Sequence, residues 1–262
     1  MHFDDLYSEY IAATYDRQSS TDNPAKILIC TTPRTAGHSY CQVLQQFGLG
    51  IPTEYFQWQY ALPLMRRWSA DDTMDIVKLN QQAPAYGRHL LGKRTENGVF
   101  AAKIFFENLP FARNSIGDDD ANSFYVFLSR RNKIDQTISL LSMLHTGQPF
   151  DGQETLSGIP TVSILTERVV SETAQYIFDG EVRWKNYLNT LEPRRVAQVC
   201  YEDFIANQQE NASATMSNWF PSLKLKSKAI SASKRYAHDV EFKIMIKRQF
   251  GTCLKRFWQD HT

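Results

Sequence analysis

The 262-residue chain has little cysteine and no concentration of it. Cys30, Cys41, Cys200 and Cys253 are widely spaced and form no CxxC pair, which argues against a disulfide framework or a zinc finger and fits buried thiols in a reducing compartment. The cytoplasm is the expected location. An excess of one charge is also missing: 29 Lys and Arg stand against 28 Asp and Glu, so bulk charge gives no reason to bind nucleic acid or a membrane surface. Any anion site must be built by local geometry. No apolar run approaches the ~18 residues of a membrane span, and the opening MHFDDLYSEY carries acids where an export signal needs basic residues. Neither Gly-Lys-Ser nor Gly-Lys-Thr occurs, so the loop that holds magnesium-ATP in nucleotide triphosphatases is not spelled out. His89, His145 and His238 are isolated, and no metal-ligand spacing is present.

What is there is an ordinary core-forming composition, 42% apolar and 13% aromatic, in a chain long enough to bury roughly three quarters of its unfolded surface. Short apolar, β-branched runs at Lys26 to Thr31, Phe100 to Phe105, Phe124 to Leu128 and Val196 to Cys200 read as strands covered on both faces. Helical patterns lie between them: Tyr40, Val43, Leu44 and Phe47, then Ile134, Ile138, Leu141 and Leu144. A long stretch from Thr161 to Leu191 carries Val170, Ile177, Trp184, Leu188 and Leu191 on one face, with a bend expected near Gly180. The end of the chain, Glu241 to Trp258, places Phe242, Ile246, Phe250, Leu254 and Phe257 on one side of a basic helix. Strands alternating with helices give an α/β class with a mostly parallel sheet. The expected organisation is one domain over 1–262: an N-terminal extension (1–25), a sheet-containing core (26–204) and a C-terminal helical cover (205–262).

The strand ending at Thr31 runs through Thr32-Pro33-Arg34-Thr35-Ala36-Gly37-His38-Ser39 into a helix. Small residues at Thr35, Ala36 and Gly37 allow a tight turn in which successive N–H groups and the positive helix end face one tetrahedral anion, with His38 and Ser39 as side-chain donors. A plain strand-to-helix turn fits the same residues. Arg34 inside the loop supplies a planar, permanent charge suited to a sulfate or phosphate ester without a metal. After the third strand come Arg130 and Arg131, and the helix that follows sets Ser139 about two and a half turns on. Lys103 is a charge inside an apolar strand, and burying an unpaired ammonium is costly, so it needs an anionic partner: either the reacting group or an ordinary salt-bridged acid.

These residues occur in an order that resembles the sulfotransferases using 3′-phosphoadenosine 5′-phosphosulfate (PAPS), most closely the bacterial Stf-type family typified by trehalose sulfotransferase. The matching stretches are TTPRTAGHS, Ile51 to Phe56 (IPTEYF), Ala101 to Ile104, Ser129 to Leu140 (SRRNKIDQTISL) and Tyr201 to Phe204. The resemblance implies a P-loop-like three-layer sandwich with helical additions. It implies PAPS as co-substrate without a metal, held by Arg34, Thr35, Ala36, Gly37, His38 and Ser39 at one end and by Arg130 and Ser139, with Arg131 close behind, at the 3′-phosphate. Lys234, beside Arg235, matches a basic stretch that covers the nucleotide. The family loop reads PRSGST or PRTGST, so His38 stands here where a phosphate-binding hydroxyl is usual. Relatives can pair as homodimers, and no sequence feature here forces pairing.

Glu54 matches the family's catalytic glutamate and is the expected general base. Lys103 is expected at the transferring sulfuryl group and Arg34 at the departing phosphate oxygen. The acceptor is expected to be a hydroxyl of a small molecule, glycan or glycolipid, faced by the segment Tyr55 to Trp68 and by residues 147 to 160. Tyr55 and Phe56 either wall that acceptor or pack in the core, Trp184 either packs or borders the adenine, and Asp203 is a candidate helix cap. Two other readings stay open: a phosphotransferase using a nucleoside triphosphate, and a nucleotide- or glycan-binding relative without catalysis.

Overall fold

In the computed structural model, residues 8–18, 21, 23–117, 121–146, 165–221 and 238–261 are described. The four apolar runs become β1 (Ala25–Thr31), β2 (Val99–Phe105), β3 (Ser123–Ser129) and β4 (Val196–Cys200). Together they form a wholly parallel sheet in the order β2-β1-β3-β4. Parallel neighbours require long crossovers, and these are helical. Before β1 lies α1 (Ser8–Ile11), and between β1 and β2 run α2 (Gly37–Gln46), α3 (Trp58–Ser69), α4 (Ile76–Gln81) and α5 (Ala83–Arg94). Then come α6 (Leu109–Ile116) before β3, and α7 (Lys133–Thr146) and α8 (Glu167–Leu188) before β4. The chain continues through α9 (Tyr201–Ala206), α10 (Gln208–Trp219) and α11 (His238–His261).

The pleat decides which side chain goes to which layer. From β1, Leu28 and Cys30 join Phe100, Ala102, Ile104, Tyr125 and Phe127 in a core covered by α3, α5, α6 and Trp184 of α8. Ile27 and Ile29 go to the opposite face with Val99, Ala101, Val126 and Leu128, under Tyr40, Val43 and Leu44 of α2, Phe204 of α9 and Met216 of α10. Helix, sheet, helix is therefore the layer order, and each fully buried Leu, Ile or Phe contributes about 1.5–3 kcal/mol. A third cluster binds the remaining helices to one another: Ile138 and Leu141 of α7, Ile177 of α8, and Ile246, Phe250 and Leu254 of α11.

Some expectations are corrected in detail. The helix through Gly180 runs without a break from Glu167 to Leu188, and Gly180 allows a close approach, since a Cβ there would lie 3.0 Å from Thr32 Cγ2. Leu144 is exposed, because the buried face of α7 continues to His145, whose ring stacks on Phe242 at 4.6 Å. Asp203 does not cap α9. That position is Cys200, and the Asp203 carboxylate instead takes both Arg131 Nη1 (2.8 Å) and Nη2 (2.7 Å). Residues 147–160, Lys234 and Arg235 lie outside the described residues. No helix among the described residues is long and apolar enough to cross a membrane.

The segment before β1 is fastened by charge. Asp16 accepts from Arg67 (2.7 and 2.9 Å) and Trp68 (3.2 Å), and Nη2 of the fully buried Arg94 lies 3.0 Å from it. Alongside, α5 and α6 cross so closely at Gly87 that an added Cβ would meet Ser115 O at 1.8 Å. Backbone cannot yield there as a flexible side chain would, so Gly87→Ala should destabilise the protein by about 1–3 kcal/mol or more. A lowered urea midpoint at unchanged m-value is the expected result.

Candidate active site

The strand order reverses at β1, whose neighbours β2 and β3 both follow it in the chain and lie on opposite sides of it in the sheet. Open parallel sheets bind ligands at such a point, beyond the carboxyl ends of the strands. The loop Thr32 to Ala36 occupies it. Arg34 (φ 66°) and Ala36 (φ 63°) are both left-handed without being glycine, a conformation that costs about 1–3 kcal/mol per residue and persists only where the surroundings impose it.

Those surroundings are side chains that bind the loop carbonyls one after another. Trp184 Nε1 donates to Thr31 O (3.0 Å), and Thr31 Oγ1 and Thr35 Oγ1 donate to Thr32 O (2.8 and 3.1 Å). Gln136 Nε2 donates to Pro33 O (2.8 Å), and Arg130 Nη1 to Arg34 O (3.3 Å). The N–H groups tell the opposite story. Those of Thr35, Ala36, Gly37 and Ser39 make no hydrogen bond within the described residues. Tethered carbonyls and unused donors at the positive end of a ten-residue helix make a receptacle for a tetrahedral anion.

Arg34, Arg130 and Ser139 converge on this loop. Arg34 Nε donates to Ser139 Oγ at 2.9 Å, tying the loop to α7. Arg130 lies with its guanidinium 4.2 Å from the centre of the Tyr201 ring, and its Nε is buried without a hydrogen-bond partner among the described residues. Two other candidates are engaged elsewhere: Arg131 is an exposed partner of Asp203, and His38 Nε2 lies 3.1 Å from Gln42 Nε2, one turn along α2. The turn before α7 is pinned by Glu202, which accepts the backbone N–H of Arg131 (3.0 Å) and Asn132 (2.9 Å).

Glu54 and Lys103 meet. Their side chains form an ion pair, with 14% and 12% of their surfaces exposed. Thr53 O accepts from the Lys103 backbone N–H at 2.9 Å, which registers the Glu54 segment against β2. The lysine stem then crosses the start of α2, since a Cβ on Gly37 would lie 2.8 Å from Lys103 Cε. The acid–amine pair thus stands directly beside the anion loop. Of the two readings for Tyr55 and Phe56, packing is the observed one. Both are buried, Tyr55 donating to Ile51 O and stacking on Phe100 at 5.9 Å. Trp184 is likewise buried beneath the loop. Gln136 is the residue that the sequence did not single out, and neither Gly180 nor Trp184 was expected to stand against the loop. The available signal was spacing, since Gln136 and Ser139 are three apart on one face of α7.

Among the described residues no cluster of His, Cys, Asp and Glu is arranged to hold a metal ion. Sheet topology and loop geometry together define an α/β protein of the phosphate-loop type, with an acid and an amine beside that loop. The Stf0 sulphotransferase family model matches residues 26–241, and the chain belongs to that family of sulfotransferases. Similar solved structures include sulfotransferase STF9 from Mycobacterium avium (11% identity, 95% of this chain and 80% of that one covered, TM-score 0.44). Sulfotransferase STF1 from Mycobacterium tuberculosis H37Rv (14%, 94% and 80%, 0.43) and mouse sulfotransferase SULT7A1 complexed with PAP (15%, 94% and 69%, 0.41) are also similar. No curated protein matches the sequence.

One pH dependence follows from the turn that carries Arg130. Burial raises the Glu202 carboxyl, but the Cys200 thiol and the Asn132 and Arg131 N–H groups outweigh it and hold it at about 2, against an ordinary 4.5. A group depressed on folding stabilises the native state above its unfolded value and loses that contribution as pH falls through the folded one. The stability difference between wild type and Glu202→Gln should therefore be constant from neutrality down to about pH 4.5 and shrink toward pH 2. Urea titrations at several pH values read this directly, and a difference that grows on acidification contradicts it.

Proposed function

We propose that this sulfotransferase carries the sulfuryl group of PAPS to a hydroxyl of a carbohydrate or glycolipid acceptor, with Glu54 as general base. The observation that supports the reading is the contact of Lys103, ion-paired with Glu54, against Gly37 of the loop. The residues present suit a sulfonated nucleotide with a second phosphate. Unused N–H groups of Thr35, Ala36, Gly37 and Ser39 would take the 5′ end, while Arg130 and Ser139, matched to the family's 3′-phosphate ligands, would take the other.

In the step itself, the acceptor oxygen forms a bond to sulfur and its proton passes to Glu54. The bond from sulfur to the 5′-phosphate oxygen breaks, and the electron pair stays on that oxygen, where Arg34 stabilises the charge. Lys103 has two anionic partners to choose between. Before the donor arrives it neutralises Glu54, and the incoming sulfonate draws it away, leaving the carboxylate to the alcohol. On the acceptor side Trp58, 55% exposed at the start of α3 and four residues beyond Glu54, offers a ring face of the kind that sugar C–H surfaces pack against.

Glu54→Gln should lower turnover by roughly 100-fold or more while the affinity for 3′,5′-bisphosphoadenosine stays within about threefold, since the amide preserves shape and removes only the base. Equal loss of turnover and binding would contradict the assignment. Trp58→Ala should raise the KM for a saccharide acceptor severalfold and leave the KM for the donor unchanged; steady-state kinetics with each substrate varied in turn provides the check.

A further inference from the structure

A loop that grips an anion through its backbone must keep its carbonyls turned away. Carbonyl and N–H point in opposite directions across a trans peptide, so a peptide free to rotate can present either end to the ligand, and the wrong end repels it. Of the donors that tether the carbonyls from Thr31 to Arg34, Trp184 and Gln136 combine full burial with no charge and no matched ligand role, and Gln136 is the one that binds Pro33 O, directly before the left-handed Arg34. Its Nε2 donates twice, to Pro33 O (2.8 Å) and Thr32 Oγ1 (3.0 Å). A carbonyl can only accept, so the orientation of the amide is fixed by its partner.

We propose that Gln136 is a positioning residue for donor binding. By holding the Pro33 carbonyl toward α7 it fixes the following peptide, imposes the left-handed Arg34 and turns the next N–H groups toward the anion. The inference rests on the reading of this loop as the donor site. A second observation bears on the role. Gln136 Oε1 is buried with no hydrogen-bond partner among the described residues, a cost that offsets part of what the two Nε2 bonds contribute to stability. The amide makes sense where the loop needs its N–H groups.

The test is Gln136→Met, which keeps the length and removes the donors. Calorimetry with 3′,5′-bisphosphoadenosine should show about tenfold weaker binding, the loss expected for one or two buried hydrogen bonds. The donor KM should rise in parallel, with the acceptor KM unchanged. Unchanged nucleotide affinity in a folded variant overturns the proposal, as does a lowered melting temperature with both KM values intact, the signature of a structural role. Should Gln136→Met not fold, Gln136→Asn, one methylene short of Pro33 O, is judged by the same criteria. If the wild type itself binds no bisphosphate, the donor reading falls, and the brace is judged separately by ¹⁵N order parameters. Those of Arg34 and Thr35 should drop from about 0.85 in wild type to below about 0.6 in the variant, and unchanged values reject the brace.

Discussion

The hydrogen bonds that draw the carbonyls of Thr31, Thr32, Pro33 and Arg34 away from one side of a short loop are the constraint on which the site depends. A left-handed arginine followed closely by a left-handed alanine is not a conformation that the loop would choose alone. It is held by three separate parts of the fold: Trp184 from α8 underneath, Gln136 from α7 beside it, and Arg130 from the end of β3. The closeness of α8 matters too, because at Gly180 the helix comes within van der Waals reach of Thr32. A protein with almost no net charge thereby concentrates donors and guanidinium groups at one point of its surface, which is how a neutral chain can select an anion.

The other half of the site is positioned by aromatic packing instead of polar tethers. Tyr55 and Phe56, which flank Glu54 on one side in sequence, are locked in the core, and Tyr86 donates to Tyr55 O at 2.7 Å. On the other side Thr53 is tied to β2 through Lys103 N. Glu54 is therefore a polar side chain on a backbone that cannot wander. Lys103 contributes twice, by its main chain to the register and by its ammonium to the carboxylate. Such an arrangement of two charged groups with little exposure is costly to break by removing one partner, and in the proposed reaction the donor supplies the replacement anion.

The sheet was legible in the sequence because parallel strands buried on both faces need unbroken apolar runs, and Ile27 to Cys30 or Tyr125 to Leu128 leave little room for another reading. Some of the helices were not. The inner face of α5 includes Gly87 and Arg94, neither of which registers as apolar, although one permits a close crossing and the other is fully buried beside Asp16. In α10 the inward stripe is little more than Ala212 and Met216. At the site, Arg34, Lys103, Arg130 and Ser139 could be picked out because charge or hydroxyl chemistry marks them, and Glu54 through the resemblance to the sulfotransferase family. Gln136 could not, because its function lies in what it does to a neighbouring peptide, and that depends on a tertiary contact across 103 residues of chain.

In the proposed reading, the braced loop together with Arg130 and Ser139 selects a sulfate carrier bearing a 3′-phosphate. The most direct measurement is a pair of calorimetric titrations of the wild-type protein, one with 3′,5′-bisphosphoadenosine and one with magnesium-ATP. Tight binding of the bisphosphate with little or no heat from ATP is the predicted result. A preference for magnesium-ATP, or equal affinity for both, would contradict it.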